Sequence, residues 1–148
     1  TFSKIYGLGG LRIGWGYFPP AVADAINRIR GPFNISSAAI AAGVAAIGDR
    51  AFVEKNRAHN AAERLFLEQR IGGLGLEWVK GAGNFLLVKF PDAQGRSAVD
   101  VRAALSRSGV EVRAMDAYGL PEYLRISIGS TQANRRLADL LEELFADV

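Results

Sequence analysis

The hydrophobic and polar positions change texture twice along the chain. Leu11 to Phe18 is rich in β-favouring residues and stops at Pro19-Pro20, which predicts a strand that ends where backbone donors disappear. Pro20 suits a first helical turn, and Val22, Ala25, Ile26 and Ile29 recur at helical spacing until Gly31-Pro32 breaks the pattern. Ser36 or Ser37 is placed to cap a second helix, Ala38 to Ile47, whose Ala and Gly content lets another backbone approach closely. Asp49 is placed to cap a third helix, expected to be strongly amphipathic. Its apolar residues are Phe52, Val53, Leu65, Phe66 and Leu67, its wet side carries Glu54, Lys55, Arg57, Glu63 and Arg64, and Gly72-Gly73 ends it.

From Leu76 short β-like runs alternate with helix. The runs are Leu76 to Lys80, Asn84 to Phe90, Val110 to Arg113 and Tyr123 to Ile128. Helices are expected at about Ala98 to Ser108 and Gln132 to Ala146, the latter capped by Ser130 or Thr131 and burying Leu137, Leu140, Leu141 and Leu144. The order β-β-α-β-β-α describes a small α+β layer with helices on one face of a short sheet. There is no internal repeat and no low-complexity tract.

Composition narrows the function classes. The 148 residues are 49% hydrophobic and 22% charged, a profile that buries a core. Without cysteine there is no disulfide framework and no thiolate metal site, and a single histidine cannot assemble a metal set, so no metal is expected. The longest weakly apolar run, Ala38 to Gly48, is half of the roughly 20 residues that a membrane span needs. Lys plus Arg (18) exceed Asp plus Glu (15) by only three. The basic residues Arg28, Arg30, Arg135 and Arg136 are scattered without interleaved aromatics, so no nucleic-acid partner is expected. His59 reads as a solvated helix residue, and Trp15 and Trp78 as core or interface aromatics.

The stretch that carries chemistry is Thr1-Phe2-Ser3-Lys4-Ile5-Tyr6-Gly7-Leu8-Gly9-Gly10-Leu11-Arg12-Ile13-Gly14. Lys4 and Arg12 would stand roughly 26 Å apart if extended at ~3.3 Å per residue, but the intervening glycines allow positive φ and a return of the chain. Both heads then reach one small ligand. Arg12, the hydroxyls of Thr1 and Ser3 and backbone N–H groups suit a phosphate, and Lys4 is left for the other end of the same molecule. Pyridoxal 5'-phosphate has that shape, since its aldehyde condenses with a neutral lysine amine. The dinucleotide fingerprint lacks its third glycine, and no Gly-Lys-Ser/Thr of a P-loop follows.

Thr-Phe-Ser-Lys followed by Gly-Leu-Gly-Gly-Leu-Arg-Ile-Gly resembles the cofactor-lysine segment of fold-type I aminotransferases and, within them, the histidinol-phosphate aminotransferase family. The resemblance extends over essentially the whole chain. Pro32-Phe33-Asn34-Ile35-Ser36 is similar to the turn into the interdomain helices, Asn84 to Val88 to the first small-domain strand, and Val112-Arg113 with Leu124-Arg125-Ile126-Ser127-Ile128-Gly129 to the substrate-anion region. It implies that Lys4 is the catalytic, cofactor-linked lysine and proton shuttle, and that Thr1, Ser3 and Arg12 hold the cofactor phosphate. It implies that Arg125 grips the substrate carboxylate and Arg113 is a second cation of the histidinol-phosphate branch. The fold implied is α/β: residues 1–72 form the tail of a fold-type I large domain with the cofactor lysine and bridging helices, and residues 73–148 a small α+β domain. The activity implied is transamination of histidinol phosphate with 2-oxoglutarate, giving imidazole acetol phosphate and glutamate in histidine biosynthesis, by a cytoplasmic homodimer. The residue at position 9 is Gly where the family usually has Ala, which is expected to loosen the turn.

The absence of an initiating Met suggests a cut chain, arising by proteolysis after an upstream Arg or by design. In the family, residues upstream of the lysine complete the cofactor site, so the 148 residues alone are expected to turn over little or no substrate. Within the same fold the alternatives are an aromatic or other amino-acid aminotransferase and a threonine-phosphate decarboxylase; outside it, an anion-binding or dimerising module without catalysis. For Arg125 the bland alternative is an edge arginine paired with Glu122.

Overall fold

The computed structural model describes residues 1–146, which fall into two compact units, residues 1–58 and residues from 59 onward. In the first unit, helix α1 spans Pro20–Ile29, α2 spans Ser37–Gly48, and α3, Arg50–Gly73, begins. Both predicted caps form: the Ser36 hydroxyl accepts from the Ala39 N–H (3.1 Å), and the Asp49 carboxylate accepts from the Phe52 N–H (2.9 Å). Ala39 and Gly43 are the buried residues of α2, and a Cβ at position 43 would lie 2.9 Å from Ile13 Cδ1. The small-residue helix therefore makes room for a side chain, Ile13. The apolar stripe of α1 stays exposed within this unit at Val22, Ile26 and Ile29.

Leu11 to Phe18 is not a strand. Gly9–Leu11 is a single 3-10 turn and residues 12–19 are irregular. A strand exists through its ladder, and among the described residues the stretch finds one backbone bond of that kind, from the Phe2 N–H to the Ile13 carbonyl (3.2 Å). Trp15, in the same stretch, is 74% exposed, so it is no core residue of this unit.

The second unit holds four antiparallel strands, β1 (Glu77–Val79), β2 (Phe85–Lys89), β3 (Arg113–Ala114) and β4 (Tyr123–Ser127), in the order β1-β2-β4-β3, with α4 (Ala98–Arg107) and α5 (Thr131–Phe145). Strand β3 lies a few residues later than the sequence pattern suggests, where Arg113 and Ala114 find Arg125 and Leu124 as partners. The register sorts side chains by parity. Leu86 faces Ile126 and Val88 faces Leu124, and all four are buried with Val101, Leu105, Leu137 and Leu141 of the two helices. Odd-numbered strand residues point to the other face. Leu67 and Ile71 of α3 are wholly buried in this same cluster, so the division between units falls inside α3, ahead of the Gly72-Gly73 stop that marks position 72/73 in the sequence. Gly72 also seats Trp78, whose ring would lie 3.2 Å from a Cβ there.

Both helices start on serine caps. Ser97 accepts from the Asp100 N–H (3.2 Å), while the Asp100 carboxylate accepts from the Ser97 hydroxyl (2.7 Å) and the Gly95 N–H (2.9 Å), and Ser130 accepts from the Ala133 N–H (3.2 Å). Asn134, the buried polar residue of α5, accepts from the Gly129 N–H (2.9 Å) and donates to Glu63 of α3 (2.7 Å). Thr131 donates to the same carboxylate, and His59 Nε2 lies 2.9 Å from the Gly129 carbonyl. His59 is thus exposed but tied to the β4–α5 turn, rather than merely solvated.

The hydrogen bonds from Asn134 and then Thr131 hold the Glu63 carboxyl below its ordinary value. Because the folded-state value is the lower one, this contribution is complete above the ordinary glutamate range and lost as pH falls through the folded value. Denaturant midpoints from about pH 6 to about pH 3 are expected to fall more steeply for the natural chain than for Glu63→Gln. Parallel acid limbs would show that the network contributes nothing.

Candidate functional site

The first fourteen residues fold back on themselves around Phe2, which is buried and bonded on both sides. Its N–H donates to the Ile13 carbonyl and its carbonyl accepts from the Leu8 N–H (3.0 Å). Within that clasp the Gly7 N–H donates to the Lys4 carbonyl (2.9 Å), so residues 4–7 form a tight turn, with Gly7 at φ 71°. Asn56 Nδ2 from α3 donates to the Ile5 carbonyl (2.9 Å) and ties this turn to the helix. Lys4 stands exposed at its corner.

Of the glycines expected to permit the return, only Gly7 has positive φ; the second left-handed residue is Arg12 itself, at φ 53° and ψ 47°. Arg12 closes the 3-10 turn and donates from Nη1 to the Gly9 carbonyl (2.7 Å). A Cβ at position 9 would lie 3.2 Å from the Ser3 carbonyl. Glycine there accommodates a close backbone approach, instead of loosening the turn. The Thr1 hydroxyl donates to the Ser3 hydroxyl (3.0 Å) and accepts from the Ser3 N–H (3.1 Å). Thr1, Ser3, Lys4 and Arg12 are thus gathered on one folded loop, which offers an amine, two hydroxyls and a guanidinium with most of its N–H groups uncommitted. That donor set fits a small molecule with a carbonyl at one end and a phosphate at the other.

Arg113 and Arg125 belong to the second unit. They are direct partners across the β3–β4 ladder, on the sheet face opposite the core. Two like charges so placed are unfavourable unless an anion joins them. Among the described residues neither guanidinium has an ion pair or a hydrogen bond, and Glu122 does not pair with Arg125. Instead, Arg125 lies over the Phe85 ring (5.4 Å to the centroid) and Arg113 over the Tyr118 ring (5.8 Å). A cavity of about 490 Å³ opens beside them, lined also by Arg102, Glu111, Asp116 and Ser127. The sequence reading missed the two rings, although the odd numbering of Phe85, Arg113 and Arg125 puts them on one face once the register is known. Asn56 had no sequence signal at all. Among the described residues no cluster of His, Cys, Asp and Glu could hold a metal, and no helix is long and apolar enough to cross a membrane.

Residues 1–141 match the model of the aminotransferase class I and II family. The chain belongs to this family. Among its relatives, the histidinol-phosphate aminotransferase of Maricaulis maris is 50% identical over 141 residues, which are 95% of this chain and 39% of that protein. The crystal structure of histidinol-phosphate aminotransferase from Sinorhizobium meliloti, in complex with pyridoxal-5'-phosphate, superposes with a TM-score of 0.83 at 31% identity, over 99% of this chain and 40% of that one. The histidinol-phosphate aminotransferase of Clostridium acetobutylicum, at 19% identity, shares the fold with a TM-score of 0.90 over 99% of this chain and 45% of that chain. The chain therefore spans about 40% of the length of the first two. The α/β architecture expected from the sequence is that of this aminotransferase fold.

Arg12 supplies a test of the loop. Replacing it by glycine relieves a left-handed penalty of roughly 1–2 kcal/mol. It removes one exposed hydrogen bond, worth about 0.5–1.5 kcal/mol, and adds unfolded-chain freedom worth roughly 0.5–1 kcal/mol. The terms nearly cancel, so Arg12→Gly is expected to change unfolding stability by less than ~1 kcal/mol in chemical denaturation. A loss of several kcal/mol would mean that the side chain is a structural strut.

Proposed function

We propose that this chain is part of a pyridoxal-phosphate-dependent aminotransferase that exchanges the amino group of histidinol phosphate with 2-oxoglutarate, forming imidazole acetol phosphate and glutamate. Residues 1–72 are read as the end of the cofactor-binding domain and residues 73–148 as the small domain. The observation that carries the substrate reading is the pair Arg113 and Arg125, opposed across one ladder without a counter-ion among the described residues. A phosphate monoester needs two cations, a carboxylate needs one planar fork, and the pair offers both to substrates that alternate in one site.

Lys4, Thr1, Ser3 and Arg12 would hold the cofactor, which when bound supplies an aldehyde and an electron-accepting ring. Lys4 Nζ, exposed at the corner of a turn fixed by Gly7 and Asn56, serves first as the amine that anchors and then as the base that carries a proton to and from the substrate carbon. The Arg12 guanidinium and the Thr1 and Ser3 hydroxyls hold the phosphate end. Arg125 and Arg113 hold the anionic group of the substrate. The exposed apolar side chains Ile29 of α1 and Val44 and Ile47 of α2 support a homodimer, and the biosynthetic role read here suits the cytoplasm.

Incubation with pyridoxal phosphate, reduction with borohydride and peptide mass mapping tests the lysine. The cofactor is expected on the peptide carrying Lys4, with Lys55, Lys80 and Lys89 unlabelled and with no incorporation in Lys4→Ala. Equal labelling of all lysines would overturn the assignment. Profiling of amino donors on the holoenzyme separates histidinol phosphate from aromatic amino acids and from decarboxylation of threonine phosphate.

A further inference from the structure

Two guanidinium groups fixed on adjacent strands repel one another, and among the described residues no acidic side chain pairs with either. What each has is an aromatic face. Phe85 reaches Arg125 diagonally, since the register places Phe85 opposite Ser127 and Leu87 opposite Arg125 on the outer face. Tyr118 reaches Arg113 from the 3-10 turn Asp116–Tyr118, which Gly119 closes at φ 72°. A ring face near a guanidinium attracts the cation without accepting the strong hydrogen bonds that an acidic partner would take from it. An acidic partner would neutralise the charge and occupy the same donors that an anion needs. Phe85 is 40% and Tyr118 60% exposed, so neither ring is spent on core packing.

We infer that Phe85 and Tyr118 are positioning residues that set the anion preference of the arginine pair, an inference that rests on the substrate reading above. The Phe85–Arg125 stack, built on two paired strands, presents one fork to any carboxylate or phosphate. The Tyr118–Arg113 stack adds the second cation, which a tetrahedral dianion uses and a planar monoanion does not. Tyr118 is therefore the selectivity element, and Phe85 the element common to both substrates.

Binding of phosphoethanolamine and of glutarate to the protein, followed by calorimetry and by the arginine Nε–H resonances in NMR, tests this. Tyr118→Leu is expected to weaken phosphoethanolamine about 3- to 10-fold and glutarate less than about 2-fold, with Tyr118→Phe restoring the natural ratio. Phe85→Leu is expected to weaken both probes by similar factors, with Phe85→Tyr restoring both, while all four variants keep the natural unfolding midpoint. If Tyr118→Leu leaves the ratio unchanged while Arg113→Gln still loses phosphoethanolamine, the role of the ring is refuted and the anion site stands. If Arg113→Gln and Arg125→Gln bind both probes as the natural chain does, or the natural chain binds neither, the substrate reading fails and this inference with it.

Discussion

Everything in the second unit depends on the register of β2, β4 and β3. Leu86, Val88, Leu124 and Ile126 reach the core because they share one parity, and Phe85, Arg113 and Arg125 reach the opposite face because they share the other. A slip of one residue would exchange the two sets. It would bury charged guanidinium groups among leucines and expose four fully buried apolar side chains. The penalty for burying an unpaired charge is far larger than any gain from separating two arginines at the surface. The hydrophobic core thus enforces an electrostatic arrangement that is unfavourable in itself.

The loop of the first unit solves a comparable problem without a sheet. Its rigidity comes from a few backbone bonds around Phe2, from the turn at residues 4–7 and from the Asn56 amide, and its curvature from two left-handed residues. One of those is glycine, which adopts the conformation without strain. The other is Arg12, for which the same conformation is unfavourable. The surrounding turns hold Arg12 in that conformation despite its cost. The arginine pair of the second unit and the loop that carries Arg12 are therefore held by different means: one by ladder register, the other by a clasp of turns.

Much of this was legible beforehand, and the reasons are local. Ser36, Asp49 and Ser130 announced helix starts because capping is a contact over three residues. The four small-unit strands and both helices followed from period and from Gly and Pro punctuation. Lys4 and Arg12 stood out through spacing and residue type. Leu11 to Phe18 misled because β-favouring residues report a pleated, half-buried setting, and strand formation needs a hydrogen-bonded neighbour that composition does not reveal. Trp15, expected in the core or at an interface, is not in the core of this unit. Asn56 and Phe85 were illegible because their partners, Ile5 and Arg125, are remote in sequence, 51 positions in the case of Asn56 to Ile5, whereas Tyr118, close to Arg113 in sequence, reaches it only through the 3-10 turn Asp116–Tyr118.

The division between units is the instructive case. Sequence punctuation sees a helix end at Gly72-Gly73, whereas compactness sees the core that the helix joins. Residues at the start of α3 hold the lysine turn, through Asn56, and residues farther along hold the β4–α5 turn, through His59 and Glu63, and the sheet core, through Leu67 and Ile71. One continuous helix serves two sets of neighbours because its polar and apolar positions change partners part-way along. A helix of 24 residues with a weak overall amphipathic stripe is what such divided duty produces, since no single face has to be apolar from end to end.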